Sequence, residues 1–179
     1  MARVPYVEEA DLAEADRELL KRPIHVAKAL ANSPGLARGL RSLSGYLRSK
    51  SRLDPRLREI AIIAVGWAAR SPYEWSHHVK IGLDAGVTEA DVRAVMGQEA
   101  PADELTAAVI AAARETYAGP GVGDATFAGL EAAFDCDELV DLIFNMAFYC
   151  GVVRLLGSLK IDVEPEYQPY LDRFPLPSA

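Results

Sequence analysis

The sequence predicts an all-α protein, folded as a single-domain bundle of about seven to nine helices. The spacing of apolar residues is helical nearly everywhere, and no convincing run alternates with the two-residue period of a strand. Helix-start and helix-end signals recur along the chain. A length of 179 residues, half of them hydrophobic, suits one globular domain with a sizeable core. No repeat or low-complexity linker divides the chain, so we assign residues 1–179 to one domain.

Capping residues set the predicted helix bounds. Asp54 and Ser71 each precede a proline, which is the pattern of an N-cap followed by proline at the first helical position. Gly86 is suited to end a helix and Thr88 to cap the next one. The predicted helices cover about residues 8–21, 24–31, 35–50, 55–69, 72–85, 89–98, 102–118, 124–134 and 136–158.

Two segments late in the chain carry further expectations. Segment 136–158 leaves little polar face, which predicts burial on all sides, by a second subunit as well as by the rest of the chain. Segment 163–179 contains four prolines with aromatic residues between them. That proline spacing forbids a regular helix. The interleaved aromatic residues predict a tail that docks on its own subunit or on a neighbour.

The charge pattern argues against a nucleic-acid or anionic-membrane partner. The net charge is -7 and the pI is about 5.0. No face clusters the lysines and arginines that phosphate binding requires. The nearest candidate is a dispersed basic set, which we interpret as a solvated helix surface, and it comprises Arg38, Arg41, Arg48, Lys50, Arg52, Arg56 and Arg58.

The sequence predicts a cytoplasmic protein. Its first residues turn acidic instead of apolar, unlike a signal peptide. Its apolar runs, such as residues 60–69, are too short to span a bilayer. Cys136 and Cys150 lie 14 residues apart and match neither a CxxC nor a zinc pattern. We therefore expect both cysteines to be reduced and buried.

A possible catalytic cluster lies at the start of the segment 72–85. Ser71, Glu74 and His78 differ by three and four residues, so they line one face of a helix. A carboxylate at Glu74 would raise the pKa of the imidazole of His78 and fix its tautomer. Ser71 lies among the unpaired amides of a helix start, where an anion is favoured.

Structural interpretations of the same residues stay open. Ser71 and Glu74 have the spacing of a capping box, so Ser71 could be a cap and Glu74 could point back to the Ser71 backbone. Glu59 leads into an apolar run, where burial would suit acid/base work, but it could equally be a first-turn glutamate that the helix dipole stabilises. His77 points about 100° away from His78, so we expect it at solvent or an interface. We interpret His25 as structural.

The set Glu59, Ser71-x-x-Glu74 and His78 resembles the carboxymuconolactone decarboxylase family, which includes the alkylhydroperoxidase D proteins. The resemblance centres on residues 53–98. In the peroxidase branch of the family a CxxC matches Ser71 and Glu74, and residues matching Glu59 and His78 relay protons. A hydroxyl and a carboxylate cannot form or exchange a disulfide. The replacement of both cysteines therefore argues against thiol peroxidase activity in this chain.

The resemblance implies a helical bundle of the alkylhydroperoxidase D-like type, assembled as a trimer or hexamer. It also implies a cofactor-independent acid/base enzyme without a metal, which acts on a small carboxylate or lactone-like substrate by decarboxylation, isomerisation or hydration. The catalytic residues would be Glu59, Glu74 and His78. The substrate-binding residues would be Ser71, Tyr73, Trp67 and Arg154, with Trp75 as a packing neighbour.

Three alternatives remain at this point. The first is a non-catalytic oligomeric binding module that keeps the scaffold. The second is residual peroxidase or disulfide reductase activity, although Cys136 and Cys150 lie on a different predicted helix. The third is a metal site, but only Glu74 and His78 have good spacing for a shared ion, and two ligands make a weak site.

Overall fold

The computed structural model describes residues 1–177, and the regular elements within that range are all helical. This confirms the predicted all-α class. The nine α-helices of the described range are α1 His25–Leu30, α2 Pro34–Ser49, α3 Pro55–Ala68, α4 Pro72–Asp84, α5 Glu89–Val95, α6 Glu104–Ala118, α7 Asp124–Glu131, α8 Cys136–Leu159 and α9 Gln168–Arg173.

Helix α3 is the centre of the bundle. It packs against α4, α6 and α8, and its residues from Leu57 to Gly66 are all buried. Asp54 caps its start by accepting a hydrogen bond from the amide of Leu57 at 2.9 Å, as its place before Pro55 predicts. Helix α3 is thus buried on all sides over this range although it carries the charged residues Arg58 and Glu59.

Within the single chain α8 is not buried on all sides, so the expected cover by a second subunit stays a prediction. Its buried side packs on α3 and α6, but the side chains of Val140 and Phe144 are 59% and 43% exposed. By length and composition α8 could cross a membrane, contrary to the expectation that every apolar run is too short. This is weak support for a membrane span, because α8 is also a core helix of the bundle.

Two predicted segments fold differently. In place of a helix over 8–21, the chain forms two 3-10 helices, Glu9–Asp11 and Glu14–Leu20, of which only Leu19 and Leu20 are buried. So small an apolar face gives an α-helix little tertiary support. The proline-rich tail forms a 3-10 turn and the short helix α9, contrary to the expectation of no regular helix. Pro165 and Pro169 occupy first-turn positions, which proline tolerates, and Pro175 and Pro177 follow the end of α9.

The tail docks on its own chain. Phe174 is 1% exposed, and its carbonyl accepts a hydrogen bond from Nε1 of Trp75 at 2.8 Å. The rings of Trp75 and Trp67 lie 5.0 Å apart inside the main core. The tail therefore closes one side of α4 with a buried aromatic anchor. Ser178 and Ala179 of the predicted tail lie outside the described residues.

Two smaller expectations need correction. Cys150 is buried, but Cys136 is exposed because it begins α8 at the surface. The basic set of residues 38–58 is not uniformly solvated. Arg58 is buried, and Arg56 forms an ion pair with buried Asp91 at 2.6 Å.

Candidate active site

Helices α3 and α4 bring one histidine between two carboxylates. Nδ1 of His78 lies 2.7 Å from Oε2 of Glu59, and Nε2 lies 3.0 Å from Oε1 of Glu74. Glu59 is 1% exposed, and His78 and Glu74 are also largely enclosed. The three residues that the sequence places in the catalytic role therefore converge on one point.

A fourth residue extends this cluster. The buried guanidinium of Arg58 donates from Nε to Oε1 of Glu59 at 3.1 Å. A second nitrogen of Arg58 donates to the carbonyl of Arg48 at 3.3 Å. Glu59 thus has a cation on each side, which fixes its orientation and meets both of its oxygens. We define the acid/base cluster as Arg58, Glu59, Glu74 and His78.

The surroundings of His78 favour its protonated form. Burial by itself lowers the pKa of an imidazole, but the carboxylates of Glu74 and Glu59 outweigh burial and raise the pKa of His78 to about 9. Burial raises the pKa of Glu59, yet His78 and Arg58 more than offset it and hold this pKa below its usual value. Glu59 is consequently an ionised carboxylate beside an imidazolium at neutral pH.

The direction of the Glu74 side chain separates its two predicted roles. Ser71 caps α4 through its hydroxyl, which accepts from the amide of Glu74 at 3.5 Å. The amide of Ser71 donates to the carbonyl of Gly66, so Glu74 does not complete a capping box. Its carboxylate turns to His78 instead. The contact at Oε1 is close but not well aligned, since this buried oxygen has no well-formed hydrogen bond within residues 1–177.

A cavity of about 280 Å³ lies against the cluster. Glu59, Glu74 and His78 form part of its wall, and Tyr149 of α8 stands beside them with its ring edge-on to His78 at 5.0 Å. Most of the remaining wall is apolar and comes from α1, α2 and α8. The exposed residues Arg22, Arg41 and Arg48 lie at its margin, so the opening carries positive charge.

The predicted substrate-binding residues divide into two groups. Tyr73 lines the cavity. Ser71, Trp67 and Arg154 do not line it: Ser71 is occupied as the helix cap, Trp67 packs on Trp75, and the guanidinium of Arg154 lies over the ring of Tyr117 at 5.0 Å. Ser71 therefore caps α4. Arg154 lies on a side of α8 that does not face the cavity.

Sequence reasoning missed several residues in and around the site. Arg58 is adjacent to Glu59 in the chain, which would suggest directions about 100° apart on a helix, but its long side chain folds back onto the carboxylate. Tyr149, Arg48 and Glu164 come from elements whose packing no local spacing discloses. The one available signal was the dispersed basic set, of which Arg41 and Arg48 reach the cavity.

A second histidine cluster lies on the neighbouring face of α4. Nε2 of His77 is 2.7 Å from Oε2 of Glu164, and the His77 ring is stacked between Tyr73 at 4.1 Å and Tyr167 at 3.5 Å. Burial lowers the pKa of His77 despite the carboxylate. The expectation of His77 at solvent or an interface is therefore wrong, because the tail covers it. His25 has a structural setting, with Nδ1 2.8 Å from the carbonyl of Asp162 and its ring stacked on Tyr6.

No group of three or more candidate ligands in residues 1–177 has the arrangement of a metal site. The acid/base cluster shows why. The two carboxylates bind opposite nitrogens of the His78 ring, so they cannot share an ion with that histidine.

Comparisons with known proteins find a family similarity. Residues 34–117, just under half of the chain, match the model of the carboxymuconolactone decarboxylase family, and this range contains Glu59, Glu74 and His78. This part of the chain is similar to that family. The resemblance predicted from the motif is thereby confirmed. A comparison with curated proteins finds no match.

The fold is that of a solved protein structure. The crystal structure of an alkylhydroperoxidase AhpD core, an uncharacterized peroxidase-related protein from Ralstonia eutropha JMP134, superposes with a TM-score of 0.81. The similarity covers 95% of each chain at 20% sequence identity. The predicted alkylhydroperoxidase D-like fold is therefore confirmed, and it extends beyond the segment that the family model matches.

Proposed function

We propose that the protein is a cofactor-independent acid/base enzyme that acts on a small carboxylate or lactone-like substrate. The observation that carries the proposal is His78, held between Glu59 and Glu74 on the wall of a cavity large enough for a small organic molecule. A buried imidazole with two carboxylate partners is suited to hold and release a proton. Decarboxylation, isomerisation and hydration all require such a step.

The two carboxylates have different parts in this proposal. Glu59 is already held by Arg58 and His78, so it orients the imidazole and keeps it charged. Glu74 lines the cavity, and its buried Oε1, 3.0 Å from Nε2 of His78, has no well-formed hydrogen bond within the described chain. A proton from Nε2 of His78 would pass to Glu74 and then to an enolate-like carbon or oxygen of the substrate. A proton from water, or in an isomerisation from the substrate carbon that is deprotonated, would return to the imidazole and complete the cycle.

The cavity supports an anionic substrate of modest size. Its volume of about 280 Å³ is at the small end of ligand sites. An apolar wall would hold a carbon skeleton, and Arg48 at the margin offers a guanidinium for a carboxylate. We assign Arg48 the anion-binding role expected earlier of Arg154, because Arg48 borders the cavity.

A thiol peroxidase mechanism has less support. Ser71 and Glu74 stand at the positions of the CxxC, and neither can form a disulfide. Cys136 and Cys150 are both free thiols on α8, and neither lines the cavity. Peroxide consumption that persists in the double variant Cys136→Ser, Cys150→Ser would exclude a thiol route altogether.

Solvent proton exchange tests the proposed function directly. Candidate substrates, including unsaturated lactone carboxylates and 2-oxo acids, are incubated with the protein in D₂O and followed by NMR for deuterium incorporation and loss of carbon dioxide. For any substrate that reacts, we expect His78→Gln to lower the rate by about 10²–10⁴-fold. His25→Gln is the matched control. Equal rates in the wild-type protein and His78→Gln would contradict the role of His78 as the proton carrier.

We further propose a cytoplasmic homo-oligomer, a trimer or hexamer by resemblance to the family. The support for assembly is the exposed apolar side of α8, where Val140 and Phe144 are unusually accessible for large apolar side chains. The support for the compartment is the pair of free cysteines. Light scattering of the wild-type protein and Phe144→Asp tests the assembly, with a smaller mass expected for the variant.

A further inference from the structure

Helix α1 forms a wall of the cavity although it is only six residues long. Ile24, which precedes it, and Val26, Ala27 and Leu30 within it all line the space. Isolated helices of this length are unstable in water, so α1 depends on contacts with other elements. Its last turn is held by Lys28, which pairs with Glu8 at 2.7 Å, and by Leu30, which is buried beside Leu19.

The first turn of α1 is held from elsewhere in the chain. Ile24 provides no side-chain cap. Instead, the amide of His25 donates to Oε1 of Glu164 at 2.6 Å, and the amide of Val26 donates to the hydroxyl of Tyr73 at 3.2 Å. The Tyr73 hydroxyl in turn donates to Oε1 of Glu164 at 3.0 Å. Two amides that a helix start leaves unpaired are therefore satisfied by α4 and by the beginning of the tail.

Glu164 is itself fixed and charged. It is buried, and its second oxygen lies 2.7 Å from Nε2 of His77. Burial raises the pKa of this carboxyl, but hydrogen bonds from His77 and from the amide of His25 more than offset it and hold the pKa well below its usual value. The ionised form is the stronger acceptor for both donors.

We propose that Glu164 is a positioning residue, which fixes α1 as the cavity wall and thereby limits the size of the ligand that enters. The inference rests on the proposed function only in taking this cavity as the active site. Replacing the Glu164 carboxylate by the neutral and weaker acceptor of Gln would loosen the first turn of α1 while Lys28 and Leu30 still hold the last turn. The wall would swing outward about its C-terminal end, and the acid/base cluster on α3 and α4 would stay in place.

Hydrogen exchange measures this wall without a substrate. In Glu164→Gln we expect the amides of His25 and Val26 to exchange at least tenfold faster, with the amides of α3 unchanged. Tyr73→Phe keeps the ring stacked on His77 but removes the hydroxyl that both Val26 and Glu164 use, so it should give the same local effect. Glu166→Gln is the matched control, because Glu166 is exposed and lies two residues away.

A bulky apolar anion then tests access. The probe is 1-anilinonaphthalene-8-sulfonate, whose rings suit the apolar wall and whose sulfonate suits the arginine margin. We expect Glu164→Gln to bind it at least threefold more tightly than the wild-type protein and Glu166→Gln do. With a substrate in hand, Glu164→Gln should raise KM and change kcat less than twofold, whereas His78→Gln should lower kcat.

The outcomes separate the two proposals. Unchanged exchange at His25 and Val26 in Glu164→Gln would overturn the positioning role, as would faster exchange throughout the chain in both Glu164→Gln and Tyr73→Phe. Failure of the acid/base proposal would appear differently. In that case His78→Gln would leave turnover intact while the local exchange of α1 still responded to Glu164.

Discussion

At the scale of single residues, His78 is both the proposed proton carrier and a source of stability. Its pKa of about 9 in the folded chain lies above the value of about 6.5 expected for an unfolded histidine. Protonation is therefore favoured more strongly in the folded state. The resulting stabilisation is complete below about pH 6.5 and is lost as the pH rises through about 9.

This linkage gives a pH-dependent prediction. Between pH 6 and pH 9.5 the wild-type protein should lose roughly 3 kcal/mol of its free energy of unfolding through His78. In His78→Gln that part of the pH dependence should vanish. Urea denaturation at several pH values measures both curves. Parallel curves for the two proteins would contradict the raised pKa.

Glu59 carries a second prediction at this scale. Glu59→Gln leaves buried Arg58 without its charge partner and removes one carboxylate from His78. Breaking a buried ion pair in this way costs about 3–5 kcal/mol. We expect a loss of that size in urea denaturation at pH 7, and a lower pKa of His78 by NMR titration. The exposed carboxylate variant Glu166→Gln should change neither quantity.

At the scale of helices, α4 shows how far local sequence signals reach. The Ser71 cap, Pro72 and the Glu74–His78 contact follow from spacing, because neighbours at three and four residues meet on any helix. The position of His77 does not follow, because it depends on a tail more than eighty residues later in the chain. The same limit explains why the sequence predicts Arg154 as a substrate-binding residue and gives no such role to Arg48, which borders the cavity. Helix periodicity fixes which residues share a face but not which neighbour covers that face.

The Ser71 cap allows a test that separates structure from chemistry. Ser71→Ala should lower the free energy of unfolding by about 0.5–1 kcal/mol, toward the lower end for a cap because its bond to the Glu74 amide is long. The rate with any identified substrate should stay within about twofold, since Ser71 does not line the cavity. Thermal denaturation and a turnover assay measure the two quantities. A large loss of turnover with unchanged stability would restore Ser71 to the catalytic machinery.

At the scale of the whole molecule, the family-matched segment holds the acid/base cluster but not the whole cavity. Residues 34–117 supply Glu59, Glu74 and His78, while α1, α8 and the segment that leads into α1 supply much of the remaining wall. The all-α class and the motif residues could be predicted, because both depend on local periodicity and spacing. The enclosing elements could not, since their docking depends on contacts between distant parts of the chain.

The tail should also contribute to the free energy of unfolding of the whole chain. Phe174 is almost fully buried against the main core, and removing such a side chain typically costs about 3–5 kcal/mol. We expect Phe174→Ala to lower the free energy of unfolding by that amount. Phe127→Ala on α7, where the ring is 38% exposed, is the control and should cost clearly less. Equal losses in urea denaturation would show that the tail is not an anchor.

The paired indoles of Trp67 and Trp75 give the molecule a built-in optical reporter. They are the chain's two tryptophans, and they lie together where α3, α4 and the tail meet. Their emission should respond to release of Phe174 and to global unfolding, but not to a displacement of α1, which lies elsewhere. Intrinsic tryptophan fluorescence and the fluorescence of bound 1-anilinonaphthalene-8-sulfonate therefore report on two different parts of the molecule. If the dye fluorescence changes while the tryptophan fluorescence stays constant, the cavity has opened in a folded protein.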